Sequence, residues 1–298
     1  MHIGVVLPQV GVDWDEVLTA ARHAEDAGAD SVWVIDHVLG FPPQNGILEA
    51  WTLMSAIAAA TDRVQIGAQV HCQSFRNPAL FAKMAATLDR VSRGRLRVLM
   101  GAGWFQAEYD AFGFEFPQPG VLIEQLRETV TILRGLLAPH NKYSFHGRHY
   151  RVREATNSPL PVQQPLPIEI GGGRDRLLRT VAKLGDGWNC PGVLLGMLDE
   201  RLTFLGKACA DAGRALSDLR LSCQIVGAVG DDEAAQDPRL QMFNAQLGLV
   251  GTAEQAAARA REMVDLGIAD FNCIVPPGDR GRACVERLVQ DVKPKVVG

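Results

Sequence analysis

Short apolar runs alternate with amphipathic stretches along almost the whole chain. Residues 3–7, 32–35, 64–70, 96–101, 168–170, 187–190, 219–229 and 268–275 read as eight strands. Continuous apolar runs of this length, rather than in–out alternation, mark strands buried on both faces of a parallel sheet. Helical periods fall between them, at 14–28, 48–60, 121–137, 174–184, 198–213, 252–266 and 281–291, with one more opened by Asn77-Pro78 and stopped at Gly94. In the first, Val17, Leu18, Ala21, Ala24 and Ala27 share one face, Asp13 stands at the cap position and Gly28 ends the helix. Strand–helix pairs repeated eight times fit a closed (β/α)₈ TIM barrel, with an open doubly wound sheet as the alternative.

Three segments interrupt the beat. Residues 101–120 are rich in glycine and aromatics and read as a loop. Residues 139–166 are rich in Pro, Tyr and His, with 143–152 reading as a surface hairpin, and 231–250 are irregular around Asp237-Pro238. There is no internal repeat, low-complexity tract or linker, so the expectation is a single domain over 1–298 with loop insertions.

Composition narrows the class. The 298 residues, 47% hydrophobic and 21% charged, are ordinary for a globular protein and suit one barrel of about 250 residues plus insertions. A net charge of -4 gives no reason to expect nucleic acid or an anionic membrane as partner. The N-terminus has no basic region, its apolar run is too short for a signal peptide, and no stretch approaches the ~18 apolar residues of a membrane span. Six cysteines without a CxxC pair read as free thiols in a reducing cytoplasm.

In a parallel barrel, ligands and catalysts gather at the carboxyl ends of the strands. Three such ends carry unusual residues. Asp36-His37 follows the second strand as an acid/base pair; a capping Asp beside a surface His is the plainer reading. Gly101-Ala102-Gly103-Trp104-Phe105-Gln106-Ala107-Glu108-Tyr109 follows the fourth, where glycines admit a ligand plane and aromatics make a flat wall; a hydrophobic plug is the plainer reading. Gly171-Gly172-Gly173 leads from the fifth strand into a helix, with Arg174 and Arg176 beside it. Exposed amides at a helix N-terminus make a phosphate site, although a tight turn also explains three glycines. One ligand satisfies all three ends, a phosphorylated planar cofactor.

Other chemistries lack their motifs. There is no H-x-H or H-E-x-x-H, and His37, His71 and Cys72 show no metal-ligand spacing. There is no G-x-S-x-G elbow, no G-x-x-x-x-G-K-[ST] loop, and no G-x-G-x-x-G after the first strand.

The chain resembles the luciferase-like monooxygenase superfamily, and within it the branch of oxidoreductases that use coenzyme F420, a deazaflavin. The likeness is carried by SVWVIDH at 31–37, LEAWTLMSAIAAATDRVQIG at 48–67, RNPALFAKMAATLDRVSRGRL at 76–96, GAGWFQAEYDAFG at 101–113, PIEIGGG at 167–173 and GDGWN at 185–189. LVGTAEQ at 249–255 and GIADFN at 267–272 match more loosely. The resemblance implies a barrel with a flavin-like ring at its C-terminal mouth, small-molecule substrates, and usually a homodimer. Asp36 matches an aspartate that contacts the deazaflavin, and His37 a histidine given a proton-transfer role. Gln69-Val70 falls where the family often has a non-prolyl cis peptide supporting the ring. Ala102 and Gly103 align with backbone contacts to the ring or its tail. Gly171, Gly172 and Gly173 align with the phosphate cradle, and Cys190, Pro191 and Gly192 with the adjoining loop.

Trp104, Phe105 and Glu108 are the expected substrate contacts. Sugar-phosphate dehydrogenases of this branch carry an acid where this chain has Trp104, which implies a less charged substrate. The expected reaction is hydride transfer between F420 and a C=C, C=N or C=O/alcohol group, with His37 moving the proton and Asp36 orienting or polarising the pair. The alternative is an FMN-dependent monooxygenase using reduced flavin and oxygen, with a separate cofactor reductase.

Overall fold

The computed structural model describes residues 1–297 apart from Phe41, Pro43, His140, Asn141, Asp232, Ala234 and Ala235; parts of the expected 139–166 and 231–250 insertions therefore lie outside the described residues. The first half alternates β1 (His2–Val6), α1 (Trp14–Ala27), β2 (Ser31–Val34), α2 (Ala50–Ala60), β3 (Gln65–Ala68), α3 (Pro78–Val91) and β4 (Leu96–Gly101). Two helices, α4 (Gln106–Phe112) and α5 (Pro119–Leu137), precede β5 (Ile168–Gly171). The second half runs α6 (Asp175–Leu184), β6 (Gly187–Cys190), α7 (Leu198–Asp211), β7 (Arg220–Val229), α8 (Ala253–Asp265), β8 (Asp270–Ile274) and α9 (Gly278–Arg287). Each of the eight strands pairs in parallel with the next, and β8 returns to β1 with His2 opposite Asp270 and Val6 opposite Ile274. The sheet is a closed (β/α)₈ barrel, not an open one, so every strand's C-terminal end opens on the same mouth.

One side chain fills the middle of that barrel. Trp33 is fully buried, and it fits because Gly4 and Gly67 face it. A Cβ on Gly4 would lie 2.6 Å from the indole Nε1, and one on Gly67 2.5 Å from Cζ3. Below it the Arg97 guanidinium stacks on the indole at 5.1 Å and bridges Glu169 and Asp270, and Arg220 Nε reaches Asp270 at 2.5 Å. Two cations and two carboxylates cancel within this layer, which is what allows their burial. Helices close the outside over a main apolar core that runs from Ile3 to Val292, with a small second cluster at Val226, Ala228, Leu240 and Ala245.

The sequence pattern and the structure part in a few places. The 101–120 segment is not all loop, because α4 lies inside it, and α5 begins two residues early with Pro119 in its first turn. Asp13 occupies the cap position of α1 but makes no side-chain capping bond, whereas Glu49 caps α2 by accepting from Trp51 and Thr52 amides. Gly28 does end α1, in a left-handed conformation at φ 95°. The hairpin pairs Tyr143–His146 with Arg151–Ala155, slightly beyond its expected end. The irregular 231–250 stretch runs into a short strand, Leu249–Gly251, added beside β7. No helix among the described residues is long and apolar enough to cross a membrane.

Candidate active site

His37 follows β2 at the mouth. Its Nδ1 lies 3.0 Å from both carboxylate oxygens of Glu108, on α4, and Glu108 Oε2 also accepts the Val38 backbone N–H at 3.1 Å. Glu108 is only 2% exposed, so the carboxylate expected to meet substrate is turned inward onto the imidazole instead. The Trp104 and Phe105 rings stand edge-to-face with the His37 ring, at centroid separations of 5.8 and 6.2 Å. Trp104 itself is 68% exposed, and Phe105 lies 5.3 Å from it. These two rings form the aromatic wall the sequence suggested.

Asp36 does not form a unit with its neighbour. It is buried, and its carboxylate takes two hydrogen bonds from Arg76, at 2.7 and 3.0 Å, and one from the Cys72 amide at 2.9 Å. Arg76 also pairs with Glu49. Such a two-pronged, buried ion pair fixes the β2 end to the segment after β3, and removing one partner typically costs about 3–5 kcal/mol. Asp36 is therefore spent on the protein itself, and sequence reading missed both Arg76 and Glu49. Adjacent to it, His71 is fully buried between Trp51 and Phe81, with ring centroids 5.3 and 5.1 Å away, and neither ring nitrogen has a hydrogen-bond partner. Burial pushes its pKa down to about 4, against the pull of Asp36. His71 is a neutral core residue.

The Gln69–Val70 peptide bond is cis, as the family pattern implied. Val70 sits across the mouth between two strand ends. A Cβ on Gly101 would lie 2.2 Å from its Cγ2, and one on Gly171 2.6 Å from its Cγ1. Those glycines make room for Val70. Gly172 needs its φ of 127°, and a Cβ on Gly173 would strike Leu194 Cδ1 at 2.2 Å. The three glycines are thus required by the chain's own packing, apart from any ligand. No side chain caps the α6 N-terminus that they lead into, with Arg174 at the cap position. Exposed Arg176 reaches Glu124 at 4.0 Å.

Gly103, at φ 91°, leaves room for the Tyr109 hydroxyl, which contacts Cys72 Sγ at 3.1 Å. Burial raises both groups, the Cys72 thiol to about 11. Ala102 presents its carbonyl to Gln73 at 3.4 Å. Of the loop after β6, Cys190 is fully buried with its thiol pushed up to about 12 by that burial, Pro191 O accepts from Leu194, and Gly192 is held by Gln224 and Asn244. The polar backbone of this loop is committed to the chain. Gln69 Oε1 differs: it is buried and unpaired, while its Nε2 donates to Asn189 at 3.3 Å. Among the described residues no three His, Cys, Asp or Glu side chains group as a metal ion would require.

The chain is 31% identical, over 255 residues covering 83% of it and 75% of its relative, to an F420-dependent glucose-6-phosphate dehydrogenase of Amycolatopsis mediterranei. It is 33% identical over 140 residues, 47% of this chain and 38% of the other, to an FMNH(2)-dependent dimethylsulfone monooxygenase of Pseudomonas putida. An F420-dependent secondary alcohol dehydrogenase, solved with an F420–acetone adduct, superimposes with a TM-score of 0.83 at 23% identity, covering 99% of this chain and 98% of that one, and so shares the fold. The family model of the luciferase-like monooxygenases matches residues 1–264. This chain belongs to the luciferase-like monooxygenase family.

Proposed function

We propose that this chain is an oxidoreductase that transfers a hydride between coenzyme F420 and a small organic substrate carrying a C=C, C=N or C=O/alcohol group. One observation carries the reading: Val70 touches the ends of β4 and β5 in the same mouth that holds His37 and the aromatic wall. A planar, phosphate-tailed group fits the residues there. The uncapped first turn of α6 suits a phosphate, Gln69 Oε1 is an unused acceptor, and Ala102 and Gly103 border the slot. When bound, the deazaflavin supplies the hydride-carrying ring carbon.

The chain's own work is geometry and proton handling. Because His37 Nδ1 is committed to Glu108, proton exchange with substrate runs through Nε2. A positioned acid or base of this kind typically contributes about 10²–10⁴-fold. Trp104 and Phe105 bound the substrate space with apolar surface and favour a substrate less charged than a sugar phosphate. Asp36 supports the mouth through Arg76 and the Cys72 amide. The coenzyme of the Amycolatopsis relative supports F420; the Pseudomonas relative supports the second reading, an FMN-dependent monooxygenase fed by a separate reductase. The proposal includes one domain, a homodimer and a cytoplasmic setting; six free, buried thiols suit a reducing compartment, and sedimentation decides the assembly.

The test is parallel titration of the cofactor-free protein with F420 and FMN, read by quenching of tryptophan fluorescence. F420 binding at least tenfold tighter than FMN is expected. Binding of FMN alone overturns the proposal.

A further inference from the structure

We infer that Glu108 is a positioning residue that fixes the tautomer of His37, holding the proton on Nδ1 so that Nε2 is the basic nitrogen of the neutral ring. The inference rests on the proposed proton role of His37 and names the group that makes that role possible. Three observations carry it. Both Glu108 oxygens lie 3.0 Å from Nδ1, and because an ionised carboxylate can only accept, Nδ1 is the donor in this contact. The carboxylate is 2% exposed and is itself pinned by the Val38 N–H, on the residue next to His37. The imidazole is edged by Trp104 and Phe105, so its plane is held while Glu108 sets its hydrogen bond.

The position of this acid is particular to the fold. Glu108 stands four residues after Trp104, in the first turn of α4, and its carboxylate reaches His37 and Val38 in the segment that follows β2. Helix α4 thereby does two things: it carries the acid, and it ends the loop that presents the aromatic wall. A carboxylate that sets the tautomer of a catalytic imidazole without touching substrate acts on rate far more than on binding.

Glu108→Gln separates this role from packing, since the two side chains have nearly the same shape. Glutamine has one carbonyl oxygen and one NH₂ group. With the oxygen kept on the Val38 N–H, that oxygen stays 3.0 Å from Nδ1 while the NH₂ faces Nδ1 from the same distance. The amide then offers Nδ1 one acceptor and one donor in place of two acceptors, so it no longer imposes a single tautomer.

The deciding measurement is nitrogen NMR of the cofactor-free protein with labelled histidine, at a pH where the ring is neutral. His37 is assigned as the signal lost in His37→Asn. In the wild type Nδ1 is expected to carry the proton; in Glu108→Gln both tautomers are expected to be populated, so that the two ring-nitrogen signals move toward each other. Glu108→Asp, which keeps the charge, is expected to retain the wild-type pattern. Wild-type protein with the proton on Nε2, or ring-nitrogen signals in Glu108→Gln identical to the wild type, overturns the inference. A second arm follows F420 turnover with a panel of secondary alcohols and their ketones. There Glu108→Gln is expected to lower kcat about 10- to 100-fold while KM changes less than threefold. A loss carried in KM instead overturns the positioning role. If the wild type turns over nothing in this panel, the functional proposal fails on its own, and the NMR arm still decides the tautomer.

Discussion

Gly171→Ala offers a direct measure of how the mouth is built. The new Cβ would lie 2.6 Å from Val70 Cγ1, where carbon atoms ordinarily sit 3.5–4.0 Å apart. Gly171 has an ordinary φ, so alanine meets no backbone penalty and the clash alone is read. Val70 has little room to retreat, because its Cγ2 already lies where a Gly101 Cβ would be, at 2.2 Å. About 1 Å of displacement is needed, and overpacking of this kind costs about 1–3 kcal/mol. In a chain of this size that lowers Tm by about 2–6 °C. Val70→Ala removes both obstructing methyls at a cost of about 1 kcal/mol, because the side chain is only half-buried. The double variant should therefore resemble Val70→Ala alone, with a coupling of about 1–3 kcal/mol between the two sites. Scanning calorimetry of the four proteins provides the cycle. A single Gly171→Ala variant within about 0.5 kcal/mol of wild type, or strict additivity, would refute the claim that Gly171 exists to admit Val70.

Two further perturbations test the supports of the site. Asp36→Asn leaves Arg76 facing an uncharged amide and should destabilise the protein by about 3 kcal/mol, with its thermal midpoint falling accordingly; an unchanged midpoint would remove the ion pair from the account. His71 holds a depressed pKa of about 4 against about 6.5 in the unfolded chain, so its contribution is complete above pH 6.5 and is lost as pH falls toward 4, by about 3 kcal/mol in all. His71→Leu should flatten that part of the stability–pH curve, as urea unfolding at a series of pH values would reveal; an unaltered slope means that other groups govern it.

The barrel was legible because strands buried on both faces write themselves as unbroken apolar runs, and because Gly28, Asn77-Pro78 and Gly94 punctuate the helices. Helix α4 was not, since seven residues beginning at Gln106 are too few to display a period. At the mouth, the sequence named His37, Trp104 and the glycine run, yet it misread what several of them face. Adjacent in sequence, Asp36 and His37 take different partners, the first bound by Arg76 and the second by Glu108. Their true partners lie 40 and 71 positions away, at Arg76 and Glu108, where no spacing rule reaches. Gly101 and Gly171 carried no sign that a single valine side chain requires both.

The central claim is transfer of a hydride to or from F420, with oxygen playing no part. Its most direct test is to mix the protein under argon with reduced F420 and a panel of ketones, enones and imines, and to follow return of the oxidised coenzyme's absorbance. At least one of these acceptors should be reduced without oxygen, with one coenzyme oxidised per product formed. Turnover that appears only with reduced FMN and only after oxygen is admitted would contradict it.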